Sequence, residues 1–480
     1  MIDVLLIHPP NRLDVDLCLN SALPVEVVGY GLLHIAAFLE TEGYSVRVID
    51  VPGLFAQNFT TEEVLSFIRS YDPELIGIEL NWLHFSRGAI EMAQELKKSN
   101  PNIPIVLGGT HASLFKEEIL YSYSPWIDEV IQGEGESSLL SMLEGASPQT
   151  ECLEIDRIPP YDPSVIIPKR EGRTMFLNTC RGSCCNPCMY CLGNSIHEFT
   201  GRTTLTRHST DWVAEQLQLF IEGGYTDIGL QDPWTSGTGV DTYVEELATM
   251  FDREGFSDQL TRFNLECLPG ALNGEQLHIL AEMGVTDIDY GCESGSDKVL
   301  SIVNRPVTTQ KMIDSIEKTA AQGIIPITYW MTGFPRETSA DISLTTRTIR
   351  RIAKVGGIPH WITPIVITPG TPLYKKRKSL GIQQRLHTFE DFSIYSQVKK
   401  KQWAWYPELI SHSTEEQSVE EILMSSITLK LASLECRDII LKAIKPLEKM
   451  FYNRHPDWEV ENRIFRSIDY ALKSMKGTYF

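Results

Sequence analysis

The sequence of 480 residues lacks the features that mark membrane and nucleic-acid-binding proteins. It has no run of roughly 18 uncharged apolar residues, the length that a membrane-spanning helix requires. Its first residues, Met-Ile-Asp-Val, lack the basic and apolar regions of a secretory signal. Positive charge is scarce, because 43 Lys and Arg stand against 63 Asp and Glu, which gives a formal charge of −20. We therefore expect a cytoplasmic protein that binds neither nucleic acid nor membrane.

Cysteine is also sparse, with ten residues in the chain, but half of them lie close together. A disulfide framework would be spread over a small secreted domain, and this chain is neither small nor visibly secreted. The clustered cysteines therefore indicate metal ligation. They are Cys180, Cys184, Cys185, Cys188 and Cys191.

Among these five, Cys184, Cys188 and Cys191 obey the spacing CxxxCxxC. Three thiolates on one short loop can hold a four-iron, four-sulfur (4Fe-4S) cluster and leave one iron without a protein ligand. A substrate can then chelate the open iron. The alternative is a structural zinc ion bound by four cysteines, although such sites usually use two pairs that are separated by a longer loop.

The first 150 residues lack both the GxGxxG pattern and the GK phosphate loop, so an ordinary nucleotide-binding domain is not supported. They alternate short apolar runs with helical patterns, which predicts a doubly wound, Rossmann-like parallel sheet of an α/β fold. Ligands of such sheets bind beyond the carboxyl ends of the strands. Here those ends include two glycine-rich loops, 108–113 and 133–136, which allow a bulky ligand to approach the backbone. The predicted strands are 4–7, 45–50, 75–80, 105–107 and 129–131.

The rest of the chain divides into three parts. Several prolines between 159 and 168 predict a linker over 151–170. Residues 171–382 contain six further strand–helix units, which are too few for a closed eight-stranded barrel and predict a partial one. Residues 383–480 predict a mostly helical C-terminal region. Its aromatic residues indicate either helical core packing or a substrate cap over the barrel. The strands predicted for the partial barrel are 174–179, 227–230, 262–267, 287–291, 326–331 and 361–366.

The cysteine motif after the first strand of this series resembles the radical S-adenosylmethionine (SAM) superfamily. Together with the doubly wound domain before it, the chain is similar to the cobalamin-dependent, B12-binding branch of that superfamily. It departs from the family where Ser183 interrupts the usual Arg-Gly-Cys-Pro sequence and where Arg336 replaces a common glycine. The resemblance covers residues 1 to about 380. The supporting segments are 7–10, 108–113, 133–136, 291–295, 333–338 and 369–374.

The resemblance implies a 4Fe-4S cluster on the cysteine triplet, with SAM bound to its open iron through the amino and carboxylate groups. Reduction of SAM would then give a deoxyadenosyl radical. Glu293 is a candidate for the ribose hydroxyls or the methionine ammonium, Asp232 for the same ammonium, and Gly333 for adenine. Each also has an ordinary structural interpretation, as an anion at a helix N-terminus, a turn-starting Asp before proline, and a turn glycine.

The resemblance also places cobalamin against the strand ends of the first domain. The DxHxxG motif that supplies a histidine to cobalt is missing, so no lower-face histidine is expected. Asn81 and Trp82, after the third strand, are expected beside the lower face of cobalt, although Trp82 could instead pack at a domain interface. The residues expected beside the cobalamin tail are Gly108, Gly109, Thr110, His111, Gly133 and Glu134.

The implied function is methyl transfer to an unactivated carbon or a phosphinate phosphorus of a small molecule. A reducing partner such as flavodoxin or ferredoxin would supply electrons, and the basic runs 375–378 and 399–401 are either solvated faces or guides for an anionic partner. One alternative keeps the cofactors but catalyses a rearrangement, cyclisation or ring contraction. Another is a non-catalytic corrinoid-binding protein with structural zinc.

Overall fold

The computed structural model describes residues 2–20, 28–149, 151–169, 174–186, 188–195, 197–230, 240–398, 406–440 and 442. Two parallel six-stranded sheets form its framework. This confirms the α/β fold that alternating strands and helices predict. None of the helices in these ranges is both long enough and apolar enough to cross a membrane.

The first sheet is parallel throughout, with the strand order β5-β4-β3-β1-β2-β6. The central strand β1 is apolar and buried on both faces, since Val4, Leu5, Leu6 and Ile7 are at most 1% exposed. The strands are β1 Ile2–His8, β2 Val46–Asp50, β3 Pro73–Glu79, β4 Ile105–Gly108, β5 Glu129–Val130 and β6 Ile166–Ile167.

Helices cover both faces of this sheet, and their ends follow local rules. The α4 helix begins at a capping box, in which Thr60 and Glu63 each accept the backbone N–H of the other. The helices are α1 Val15–Leu19, α2 Tyr30–Thr41, α3 Val51–Ala56, α4 Thr61–Ser70, α5 Ser86–Ser99, α6 Thr110–Leu114, α7 Lys116–Tyr123 and α8 Glu136–Leu143.

The predicted linker packs closely against both sheets. Its residues Ile166 and Ile167 pair with β2 and add the sixth strand to the first sheet. The buried Tyr161 donates its hydroxyl to the carbonyl of Phe176 at 3.0 Å, and Gln216 accepts the Tyr161 N–H at 3.0 Å. The linker thereby joins one continuous core that runs between the two sheets.

The second sheet is parallel and open, with the strand order β14-β13-β12-β11-β10-β7. The strands lie side by side in the order in which they occur in the chain. The sheet therefore forms the partial barrel that the six strand–helix units predict. Two short strands, β8 and β9, follow its first strand and pair with each other in an antiparallel arrangement. The strands are β7 Thr174–Leu177, β8 Cys180–Arg181, β9 Thr206–Arg207, β10 Asp227–Leu230, β11 Arg262–Cys267, β12 Asp287–Glu293, β13 Ile325–Thr332 and β14 Ile358–Pro364.

The helices of the second sheet lie on its outer side, as their apolar residues join the core with the outward-facing strand residues. They are α10 Thr210–Glu222, α11 Val240–Glu254, α12 Gly274–Glu282, α13 Asp297–Ile302, α14 Thr309–Ala321 and α15 Ser339–Lys354. The short helix α9 His197–Thr200 belongs to the segment between β8 and β9.

The C-terminal region packs on both preceding parts. Phe389, Phe392 and Tyr395 lie in the core of the first sheet, which confirms helical core packing for these aromatics. The long α18 helix packs against α15 and β14. Trp403, Trp405 and the basic run 399–401 lie outside the described residues. The elements are α16 Pro372–Lys375, β15 Ile382–Gln384, α17 Phe389–Phe392, β16 His412–Thr414 and α18 Val419–Glu435.

Candidate functional site

The cysteine motif lies on the loop between β8 and β9, next to the carboxyl end of β7. Main-chain N–H groups of this loop point at two of its sulfur atoms. The amide of Asn186 lies 3.4 Å from Cys184 Sγ, and the amide of Gly193 lies 3.3 Å from Cys191 Sγ. Hydrogen bonds of this kind stabilise thiolates, the form in which cysteine binds metal.

The third cysteine of the motif, Cys188, is buried and receives a side-chain donor instead. Arg305 Nη1 lies 3.5 Å from Cys188 Sγ. The same guanidinium donates to the carbonyl of Gly291 and lies 3.5 Å from Glu293 Oε1. Arg305 therefore places a positive charge where three thiolates would otherwise accumulate negative charge.

The three thiols are close enough to influence one another. Burial raises the pKa of Cys191, the Gly193 amide lowers it, Cys188 and Cys184 raise it further, and Arg305 lowers it. This donor set fits a 4Fe-4S cluster, in which each thiolate binds a different iron. Among the described residues, no three His, Cys, Asp or Glu side chains are placed to hold a single metal ion.

The two extra cysteines differ from the triplet in their surroundings. Cys180 is buried in β8, and Cys185 is exposed on the loop. Neither occupies a position of the CxxxCxxC motif. Their exclusion from the cluster remains a prediction.

Glu293, predicted to bind SAM, ends β12 beside the cysteine loop. Its backbone has a φ of 65°, in the left-handed region that few residues other than glycine adopt. Tyr190, which lies between two cysteines of the motif, donates its hydroxyl to Glu293 Oε1 at 3.2 Å. Burial raises the pKa of Glu293, while Arg305 and the Tyr190 hydrogen bond lower it. Backbone strain and a shared arginine thus direct this carboxylate toward the cysteine loop.

Gly333, the predicted adenine contact, lies on a loop that is held from two sides. Its N–H donates to Glu337 Oε2 at 2.7 Å, and its carbonyl lies 2.7 Å from Nε2 of His412, a residue of β16. Arg336 has a φ of 59°, so it occupies the backbone conformation that the more common glycine would favour. Asp232, the other SAM candidate, lies outside the described residues.

On the first sheet, Asn81 connects the loops that follow β3 and β4. Its side-chain oxygen accepts the Thr110 N–H at 3.0 Å, and its amide donates to Glu79 Oε1 at 2.6 Å. Gly109 has a φ of 107°, and a Cβ atom there would lie 2.5 Å from Asn81 Oδ1. A Cβ atom on Gly108 would meet no atom within 4 Å, so this position borders open space.

The predicted cobalamin residues Trp82 and His111 have opposite environments. Trp82 is 64% exposed, whereas His111 is 3% exposed among Phe115, Phe389 and Phe392. Burial lowers the pKa of His111 to about 3, so its ring is neutral at pH 7. Trp82 is therefore open to a ligand, and His111 packs with the C-terminal aromatics.

Glu134 links the first domain to the second. Arg202 donates to both of its carboxylate oxygens, and Arg181 Nη1 lies 3.6 Å from Oε2. Arg181 also donates to Glu136 Oε1 at 2.7 Å. The carboxylate of Glu134 thus contributes to the interface between the domains, and its predicted contact with cobalamin stays a prediction. Gly133 next to it has a φ of 84°, and its N–H donates to Ser113 Oγ at 3.2 Å.

Sequence reasoning missed Arg305, Glu337 and His412, which support the predicted site residues. Glu337 and Arg336 fall in a segment that the resemblance singled out, but nothing in the sequence distinguishes Glu337 as a partner of Gly333. Arg305 and His412 are separated in sequence from the groups that they contact. Such contacts between distant segments leave no local pattern in the sequence.

Comparison with known families and sequences agrees with this arrangement. Residues 18–143 match the family model of the B12 binding domain, and residues 180–349 match that of the radical SAM superfamily. The chain is 24% identical over 380 residues to an uncharacterised methyltransferase of Pyrococcus horikoshii, covering 73% of this chain and 78% of that protein. It is 26% identical over 303 residues to the tRNA-2-methylthio-N(6)-dimethylallyladenosine synthase of Corynebacterium glutamicum strain R, covering 59% of this chain and 55% of that protein.

Two solved structures share the fold. The radical SAM methyltransferase TsrM from Kitasatospora setae, with tryptophan substrate and a SAM analogue bound, has a TM-score of 0.63 at 14% identity, covering 91% of this chain and 89% of that one. The cobalamin-dependent radical SAM enzyme OxsB, with aqua-cobalamin and SAM bound, has a TM-score of 0.63 at 13% identity, covering 100% of this chain and 79% of that one.

Proposed function

Because this chain belongs to the B12-binding radical SAM enzymes, whose cofactors are cobalamin, a 4Fe-4S cluster and SAM, we propose that it transfers a methyl group to a small molecule. The acceptor is an unactivated carbon or a phosphinate phosphorus. The methyltransferase name of the Pyrococcus relative supports methyl transfer over a rearrangement.

One observation carries the proposal, namely the buried ion pairs that join the loop after β5 to the cysteine loop. Glu134 and Glu136 follow the glycine-rich strand end where cobalamin is expected. Arg181 and Arg202 precede and follow the cysteine triplet. Because these side chains are paired, and all of them except the part-exposed Arg181 are buried, the two cofactor regions are held against each other. A methyltransferase with both cofactors requires this proximity, whereas a corrinoid carrier does not.

Different residues of the chain would bind the cluster and SAM. Cys184, Cys188 and Cys191 would hold the cluster, with Arg305 offsetting their negative charge. Glu293 and Gly333 would hold the two ends of SAM. When bound, the cluster and SAM supply a radical and cobalamin carries the methyl group.

The corrin would rest on the backbone of the first sheet. Gly108, Gly109, Thr110 and Gly133 would lie beside it, since Gly108 borders open space. Asn81 holds the loop after β4, and Ser113 accepts the N–H of Gly133. Trp82, which is 64% exposed, would lie on the lower side of the corrin and would exclude water there when cobalamin is bound.

Radical SAM enzymes need a reductant, and we propose flavodoxin or ferredoxin in the cytoplasm for this role. The basic run 375–378 offers a surface for an acidic partner. Within it, Arg377 stacks over Tyr374 at 4.2 Å, and Lys375 pairs with Glu198. Because only Lys375 is paired with a carboxylate among the described residues, the charge that remains for steering comes from Lys376, Arg377 and Lys378.

The test is anaerobic purification followed by analysis of iron, sulfide and corrinoid, and then of reaction products. Methyl transfer predicts a product heavier by one methylene group, with S-adenosylhomocysteine and deoxyadenosine released together. A product of unchanged mass with deoxyadenosine alone would favour a rearrangement. A protein with zinc and without iron would contradict both reactions.

A further inference from the structure

The inner face of the partial barrel carries a carboxylate pair that the proposed function does not use. On β12, Ile288 and Tyr290 belong to the outer core, and the Tyr290 hydroxyl lies 2.7 Å from Thr319 Oγ1 of α14. Since side chains alternate along a strand, Asp289 between them points to the inner face. Glu266 of β11 is the register partner of Asp289 and shares that face.

Aromatic side chains border this pair on the next two strands. Tyr329 of β13 and Trp361 of β14 are register partners, and both are part-exposed. The Tyr329 hydroxyl donates to the Asp289 carboxylate. Tyr329 is the register partner of Gly291, two residues beyond Asp289, so the two part-exposed aromatic rings lie on the inner wall one step above the two carboxylates.

A separate ion pair lies where β11 and β12 begin. Arg262, the first residue of β11, donates to Asp287 through Nε at 2.9 Å and Nη2 at 2.5 Å. Asn264 adds a hydrogen bond of 2.7 Å to the same carboxylate. The single positive charge of Arg262 is therefore shared, because it also lies 3.5 Å from Asp227 and lowers the pKa of Asp289.

One oxygen of the Asp289 carboxylate lacks the hydrogen-bond partner that a buried polar atom requires. Asp289 is 8% exposed, and its Oδ1 atom has no hydrogen-bond partner among the described residues. Burial, together with the nearby Asp287 carboxylate, raises the pKa of Asp289 to about 7, although Arg262 and the Tyr329 hydrogen bond act in the opposite direction. Ionisation of a buried carboxyl beside other carboxylates is unfavourable until a cation neutralises it.

The surroundings favour an organic cation over a metal ion. No three His, Cys, Asp or Glu side chains in the described ranges are placed to hold a metal ion. Aromatic rings beside carboxylates are typical of sites for ammonium and guanidinium groups. Along β12, Asp289 lies four residues before Glu293, or roughly 13 Å at the rise of a strand. A small molecule can bridge that distance between its cationic group and the SAM site.

We propose that the substrate carries a protonated amine or a guanidinium, which Asp289 and Glu266 bind on the inner wall of the partial barrel. That the ligand is a substrate rests on the proposed methyl transfer. The site itself rests on the geometry of β11 and β12.

The experiment measures binding to the purified protein loaded with cluster and cobalamin, by anaerobic calorimetry. The probes are agmatine and three compounds on one skeleton, namely phenethylamine, 2-phenylethanol and 3-phenylpropionate. We expect at least one of the two cations to bind about tenfold more tightly than the neutral and anionic probes. Asp289→Asn should remove that preference, and Glu266→Gln should reduce it.

Asp314→Asn is the matched control, because Asp314 is exposed on the outer helix α14 and hydrogen-bonds Gln310. This variant should bind all four probes as the parent does. Iron and corrinoid content show whether each variant is folded, and Glu266→Gln replaces Asp289→Asn if the latter loses its cofactors. Equal binding of all four probes, or a cation preference that survives both changes, would overturn the proposal. Methyl transfer is measured separately by product mass, so its failure would leave the binding result interpretable.

Discussion

The loop after β4 and the loop after β12 occupy equivalent ends of two parallel sheets, yet their side chains differ in charge. The β4 loop, residues 108–113, contains no acidic or basic side chain apart from His111, which burial keeps neutral. It is held by Asn81 and by Ser113, whose hydroxyl donates to the Gly109 carbonyl at 2.9 Å. The β12 loop instead presents Glu293 with Arg305 beside it.

The difference follows from what each loop is expected to bind. A corrin ring is large and is recognised by shape, so a neutral loop with little side-chain bulk is suitable. SAM and a thiolate-bound cluster carry charges, so buried charged groups are needed around them. Equivalent positions in two similar sheets thus acquired different chemistry through their side chains.

The largest expected effect is on the charged region. Replacing Cys184, Cys188 or Cys191 by Ala should remove bound iron and abolish cleavage of SAM, because each supplies one of three thiolates. Iron content and deoxyadenosine release measure this. Cys180→Ala and Cys185→Ala are the controls and should keep iron. Loss of the cluster in Cys185→Ala alone would show that the ligand register is wrong.

A second prediction concerns the ion pairs where the two regions meet. Arg202→Met leaves Glu134 buried with one of its two arginine partners removed, and we expect a loss of about 3–5 kcal/mol in the free energy of unfolding. Chemical denaturation measures this. Arg350→Met removes the exposed pair with Glu435 and should cost about 0–1 kcal/mol. Equal losses in the two variants would contradict a structural role for the buried pairs.

The third prediction tests the neutral loop by itself. Gly109→Ala places a Cβ atom 2.5 Å from Asn81 Oδ1 on a backbone with a φ of 107°, so we expect a loss of about 1–3 kcal/mol and less bound corrinoid. Iron content should be unchanged. Gly108→Ala meets no protein atom within 4 Å, so its stability should equal that of the parent. Corrinoid absorbance that stays normal in both variants would remove this loop from the cobalamin site.

The last prediction concerns an effect that is confined to high pH, and it comes from Glu337, which supports the Gly333 loop. Burial raises its pKa from 4.5 to about 8. The folded protein therefore holds this proton at neutral pH while the unfolded chain has lost it, so stability falls as pH rises from about 4.5 to 8. Glu337→Gln stays neutral and should melt at least about 2 °C above the parent at pH 8.5. At pH 4.5 the two should melt together, and a gap that is independent of pH would contradict the assignment.

Much of the fold could be predicted from the sequence. The strands Asp227–Leu230 and Arg262–Cys267 begin and end where the apolar pattern predicts. The sixth strand of the first sheet, Ile166–Ile167, was missed because it is two residues long beside prolines and exists through its pairing with β2. Pairing between distant segments leaves no local pattern.

The candidate site was predictable in its cysteines and less so in its supporting residues. The CxxxCxxC spacing is local, and it identified the triplet without a structure. The family resemblance implied that Glu134 lies beside cobalamin, which stays a prediction, but it gave no sign that the carboxylate pairs with Arg202, 68 residues away. For the aromatic residues Phe389 and Phe392, composition left core packing and a substrate cap open, and the fold placed both in the core of the first sheet.

The sequence by itself therefore determined the alternation of strands and helices, the two-sheet organisation and the cysteine triplet, since each depends on residues within a few positions of one another. Only the tertiary structure decided which charges meet: Arg305 with Cys188, Arg202 with Glu134, and Glu266 beside Asp289. The reason is physical. Periodicity is a property of one segment, whereas the pairing of buried charges depends on sheet order, register and packing between segments that are far apart in the chain.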